Sequence, residues 1–251
     1  METKSNKQIN QKILSIKDRK SRAFLLAEKL LILEQEDLRE YLENLVIQIF
    51  INDRVALEVI FSLVDVLENI YEFEIMENLY NRIKFLKTEN KILNLLIDPP
   101  LPHKFLKRGE VHITDIMMDY IPLGVKRSFA KKMDRMLIRR MLQEKDPYVV
   151  KNLLSNPLIT EKDVLKIASM QPTNQCVIKV IYAFDKWINL YSVKEAIIKN
   201  PYSPFRLSLL LLFYMQKKEL KAMHSDNTLH PVIREISMEI LKIRDSLTQI
   251  E

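Results

Sequence analysis

The stretch VKRSFAKKMDRMLIRRMLQEKD, which begins at Val125, is the sharpest local chemical feature of the chain. Lys126, Arg127, Lys131, Lys132, Arg135, Arg139 and Arg140 all fall within it. Arg135 and Arg139 are four residues apart and so share a helix face, with Arg140 beside them. The four cations before them belong to a preceding short helix or turn. Phe129, Met133, Met136, Leu137 and Met141 supply an apolar side, so the cations are expected to point outward together. Such a patch neutralises phosphates or carboxylates. Two partner classes stay open, an acidic protein and a nucleic acid. Phe129 is the only ring in the patch and is expected to face inward, which argues against base stacking on a single strand. The plainer alternative is a solvated face of a Lys-rich chain. Between Lys104 and Arg140 ten Lys/Arg stand against four Asp/Glu, so this stretch accounts for the whole formal charge of +6. Any electrostatic preference for a partner is therefore concentrated here.

Other chemistries find little support. His224 and His230 flank Asp226 in MHSDNTLHP, but without helical ligand spacing or a second cluster, and no metal site is expected. His103 and His112 sit near a proline-rich run as ordinary surface or strap residues. Glu68 with Glu72, and Glu40 with Glu43, fall on polar helix faces, and no Glu-x-x-His pair is present for a di-iron bundle. No G-x-S-x-G marks a nucleophile. Only two glycines occur, Gly109 and Gly124, so phosphate-cradling and dinucleotide loops are excluded. The single Cys176 precludes an intramolecular disulfide and any cysteine-rich cluster; in CVIKVIYAF it is expected to be an inert core thiol. No catalytic residue, cofactor or metal is expected.

The elements that must carry the basic stretch are helices. Apolar residues recur at three- and four-residue steps, predicting an all-α chain. Residues 1–20 are polar and Lys-rich, expected to be a frayed or partly helical tail. Residues 21–97 carry four amphipathic stripes that predict stacked helical hairpins; in the third, Glu58, Ser62, Asp65 and Asn69 lie opposite the apolar face. "IND" at 51–53 predicts a tight corner with Asn52 or Asp53 capping the next helix. Residues 98–124, with IDPPLPHKFLKRGE at their start, form a crossing segment: either a boundary between halves or a strap across one continuous array.

Residues 125–245 predict repeated helical units. Forty-four residues separate Val149 from Val193, Leu153 from Ile197, Asn156-Pro157 from Asn200-Pro201, and Leu165 from Leu209. At each Asn-Pro the proline ends one helix, and the asparagine can bond backbone groups freed at the corner. Thr160 with Asp163 predicts a capping box. Ser203-Pro204 predicts an N-cap followed by a proline at the first helical position. Weaker copies flank this pair, at Val125 and at HPVIREISMEIL from His230, and PTNQCVIKVIYAF fits between the two clear units. Self-similarity at such periods predicts stacked units that bury their faces against neighbours. Trp187 and the methionines Met117, Met118, Met133, Met136 and Met141 are expected to fill gaps between units.

DPYVVKNLLSNPLITEKDVLKIA and VKEAIIKNPYSPFRLSLLLL resemble the leucine-rich-repeat-variant units of bacterial proteins, cousins of HEAT-like repeats. The resemblance covers about half the chain and implies an α-solenoid, a scaffold surface, and no functional residues to transfer. A founding member of that family carries a cysteine-ligated iron–sulfur cluster; the cysteines are absent here, so no cluster is implied. The expectation is a non-catalytic scaffold or adaptor that binds an acidic protein partner through the basic face. A nucleic-acid-binding solenoid is the first alternative and a HEAT-like enzyme, such as a DNA glycosylase, the second. Exposed repeat ends allow self-association. The most apolar run, LSLLLLFYM from Leu207, is too short to span a bilayer, and the N-terminus lacks the apolar region of a signal peptide, so a cytoplasmic protein is expected.

Overall fold

In a computed structural model of the chain, residues 4–71, 75–104, 118 and 120–248 are described. Among them the fold is all-α, 69% helix with no strand. No helix among the described residues is long and apolar enough to cross a membrane. The chain forms two compact units. The first joins Met1–Pro100 with Phe205–Ser225 and Val232–Glu251; the second comprises Leu101–Pro204 and Asp226–Pro231. The sequence grouped residues 125–245 as one block, whereas the structure assigns most of the chain after Pro204 to the first unit.

The first unit opens with α1 (Lys4–Leu14), α2 (Arg19–Ile32), α3 (Gln35–Phe50), α4 (Arg54–Leu67), α5 (Ile75–Lys84) and α6 (Lys91–Ile97). The polar opening is helical from Lys4 to Leu14 and joins the core: Ile13 is fully buried, and the Tyr41 hydroxyl donates to Asn10 Oδ1 at 2.6 Å. At the corner before α4, Asn52 takes a left-handed φ of 62° while the Asp53 carboxylate accepts from Ala56 N. α4 is the centre of the unit and packs against α1, α2, α3 and α5. Its polar side is not solvated as the stripe pattern implied. Ser62 and Asp65 are both buried, because neighbouring helices cover that side, while Glu58 stays partly exposed. Arg19 makes this tolerable. Its Nε and Nη2 donate to the two Asp65 oxygens at 2.7 and 2.5 Å, and its guanidinium lies 4.3 Å from the centre of the Phe61 ring.

Arginines also close the helix ends of this unit, where the last carbonyls of a helix lack intrahelical donors. Arg82 donates to Leu31 O and Leu33 O at the end of α2. Arg206 lies near the start of the returning helix α14 in the unit's second segment. It donates to Leu67 O at the end of α4, to Leu96 O and Ile97 O at the end of α6, and to Glu68 Oε1 at 2.8 Å. Arg244 donates to Phe213 O and Met215 O.

In the second unit, α7 (Leu123–Phe129) and α8 (Arg135–Met141) precede α9 (Pro147–Leu154) and α10 (Glu161–Ala168). α11 (Gln175–Ala183), α12 (Asp185–Ile188) and α13 (Tyr191–Lys199) follow. The chain then returns to the first unit as α14 (Phe205–Leu212), α15 (Lys217–Ser225) and α16 (Pro231–Thr248). α9 packs on α11, and α10 on α13. Both Asn-Pro corners have one geometry. Asn156 Oδ1 accepts from Leu158 N, and its Nδ2 donates to Ala130 O and Lys132 O, just past the end of α7. Asn200 Oδ1 accepts from Tyr202 N, and its Nδ2 donates to Ala168 O and Met170 O, just past α10. The expected local bond is present. The longer reach, to carbonyls of an earlier helix, is what the sequence could not supply. Trp187 is buried, and its Nε1 donates to Leu154 O at the end of α9. The Thr160–Asp163 capping box forms as predicted. Ser203 instead donates its hydroxyl to Ile197 O, six residues back. Cys176 is exposed, not core: it lies one residue into α11, off the face that buries Val177 and Ile178. Much of the crossing segment lies outside the described residues, with Gly109, His112 and Met117.

Candidate anion-binding face

The seven cations of the basic stretch divide into those the unit uses internally and those at its surface. Lys126 is buried on α7, its Nζ 2.7 Å from Glu144 Oε1. Arg127 pairs with Asp146 at 3.3 Å and lies over the Tyr148 ring at 4.6 Å. Arg135, at the start of α8, forks onto both oxygens of Asp163 at 2.6 and 2.8 Å and donates to Leu158 O. Lys126 does not point outward with the rest, and Arg127 and Arg135 are only partly exposed and held by these pairs. Their carboxylate partners sit on later segments, beyond the reach of any i,i+4 pattern. Lys131, Lys132, Arg139 and Arg140 are exposed. Lys132 Nζ approaches the Phe129 ring at 4.8 Å.

The apolar side is also drawn differently. Ile138 and Met141, three residues apart on α8, are its buried residues. Met133 precedes the helix, Met136 lies far around it from Ile138, and both are largely exposed, at 63% and 67%. Met118 and Met141 do fill the interior.

Asp163 is the electrostatic hinge of the arrangement. Its Oδ2 accepts from the Thr160 amide and hydroxyl as well as from Arg135. Burial alone would raise the carboxyl; the Arg135 fork and the Thr160 donors outweigh it and hold the group at about 2. The same fork raises the Arg135 guanidinium.

Behind α8 lies a cleft of about 490 Å³. Arg139, Gln143 and Lys145 line it from α8 and the turn after it, and Lys166, Met170 and Gln171 from α10 and the turn beyond. No carboxylate is among its lining residues. The Lys145 amine is covered from solvent and has no hydrogen-bond partner among the described residues. Its sequence neighbours Glu144 and Asp146 are already taken by Lys126 and Arg127. Of the predicted residues only Arg139 reaches this cleft; Lys145 and Lys166 were missed. One signal for Lys166 was present in the sequence: at the forty-four-residue offset its counterpart is Leu210, so a charge stands where the other copy has a leucine.

Elsewhere, the His224 ring Nδ1 lies 3.0 Å from Arg234 O, and His103 meets His230 edge to face at 6.0 Å. Among the described residues no three His, Cys, Asp or Glu groups gather as a metal site. No family model, curated protein or solved structure matches the chain.

Proposed function

We propose that the protein is a non-catalytic interaction scaffold, an α-solenoid of HEAT-like or leucine-rich-repeat-variant units, that binds an acidic protein partner through its basic face. The observation that carries this is the imbalance around α8. Glu144, Asp146 and Asp163 are committed to internal ion pairs, and Asp134 caps α8 by accepting from Met136 N and Leu137 N. Lys131, Lys132 and Arg139 remain at the surface beside the exposed side chains of Met133 and Met136. Cations interleaved with adaptable methionines suit an acidic segment that also carries apolar side chains. The two equivalent Asn corners support the repeat assignment.

The test is fluorescence anisotropy with a labelled acidic amphipathic peptide and, in parallel, a random-sequence DNA duplex. Wild type runs beside a Lys131→Glu/Lys132→Glu variant. Peptide binding lost in the variant, with duplex binding weak throughout, is the expected result. Tight duplex binding that collapses with salt would instead make the face a phosphate-backbone surface.

A further inference from the structure

We propose that the cleft between α8 and α10 is a binding site for a phosphate monoester. The inference goes beyond the partner-binding face, because Lys131 and Lys132 do not line the cleft and it uses two cations, Lys145 and Lys166, that the face does not.

Three observations carry it. Arg139, Lys145 and Lys166 line one cavity from which carboxylates are absent. The covered Lys145 ammonium has no acceptor among the described residues, and a turn of its flexible side chain into the cleft would let a bound anion satisfy it. The carboxylates that might have served it, Glu144 and Asp146, are held elsewhere at 2.7 and 3.3 Å. The chemistry of the lining then selects among anions. A single carboxylate would balance one of three positive charges. A phosphate monoester carries nearly two negative charges at neutral pH and three terminal oxygens, matching a guanidinium fork and two ammonium groups. Gln143 and Gln171 add amide donors without adding charge. The cavity, at about 490 Å³, holds a phosphoryl group with part of whatever carries it. That carrier is either a small metabolite or a phosphorylated side chain; the phosphoryl chemistry is common to both.

The experiment is a phosphorus NMR and calorimetric titration of the full chain with phenyl phosphate, dimethyl phosphate and acetate, followed by a phosphoserine peptide and its unphosphorylated form. Phenyl phosphate is expected to bind saturably, at least about tenfold tighter than dimethyl phosphate or acetate, and to weaken below about pH 6, where the phosphate takes up its second proton. Lys145→Met and Lys166→Glu should each weaken it by about tenfold or more. Lys166 is exposed, so its variant keeps the test decisive even where Lys145→Met perturbs folding. A phosphopeptide much tighter than phenyl phosphate identifies a phosphorylated chain as the source; equal affinity identifies a small molecule. No binding of phenyl phosphate, equal binding of the phosphodiester or acetate, or full affinity in the Lys166→Glu variant would each overturn the proposal.

Discussion

The two units solve one problem with different side chains. Each must satisfy carbonyls left over at helix ends. The first unit uses arginine: Arg82, Arg206 and Arg244 each donate to two or more such carbonyls. The second unit uses neutral donors, Asn156, Asn200 and Trp187. The choice has a cost and a consequence. A guanidinium drawn inside needs a counter-charge, and Arg206 has one in Glu68, with side chains 8% and 7% exposed. An amide needs none. Apart from Arg135, which donates to Leu158 O, the second unit therefore closes these corners with neutral side chains, and several of its cations are left for the surface and the cleft.

The sharpest way to break the comparison is at Arg206. Arg206→Ala removes the cation paired with the buried Glu68 carboxylate and the donor to three carbonyls, with an expected loss of about 3–5 kcal/mol in denaturant-monitored stability. Arg206→Lys should recover little of it, since a point charge cannot span the same fork. The neutral corners come next. Asn200→Ala and Asn156→Ala each leave two carbonyls without that donor, for an expected loss of about 2 kcal/mol apiece. Asn200→Asp should be worse than alanine, because a carboxylate would face those carbonyls. Equal tolerance of Asp and Ala would show that the corner is not read as a donor.

The effect expected at Asp163 depends on pH. Its carboxyl is held at about 2 in the folded chain, below the usual aspartate value near 3.9. A depressed folded value stabilises the fold above the unfolded value, so the contribution is complete above about pH 4 and fades as pH falls towards 2. Thermal melts of wild type and Asp163→Asn should differ at neutral pH and converge at the acid end of that window. Parallel curves down to the lowest pH would remove the Arg135–Asp163 fork from the stability of this unit.

How much was legible in the sequence follows the range of each interaction. The helices, the corner at 51–53, the capping box and the equivalence of the two Asn-Pro corners all rest on neighbours within a few residues. The pairings of Lys126, Arg127 and Arg135 rest on carboxylates eighteen to twenty-eight residues away, so their internal commitment was hidden. Asp65 was assigned to a polar face for the same reason: Arg19, which buries it, is forty-six residues earlier. The cleft fared worst, since Lys145 and Lys166 line it from segments twenty-one residues apart in the chain.

The Asn-Pro corners also bear on how the molecule ages. An asparagine usually deamidates when the backbone nitrogen of the next residue attacks its side-chain amide and closes a succinimide ring. Proline offers no N–H there. Pro157 and Pro201, which end the preceding helices, thus also shield the amides of Asn156 and Asn200 from that reaction. A slow conversion to aspartate would replace the donor at each corner with an acceptor, and the sequence closes that route at both positions where the fold depends on it.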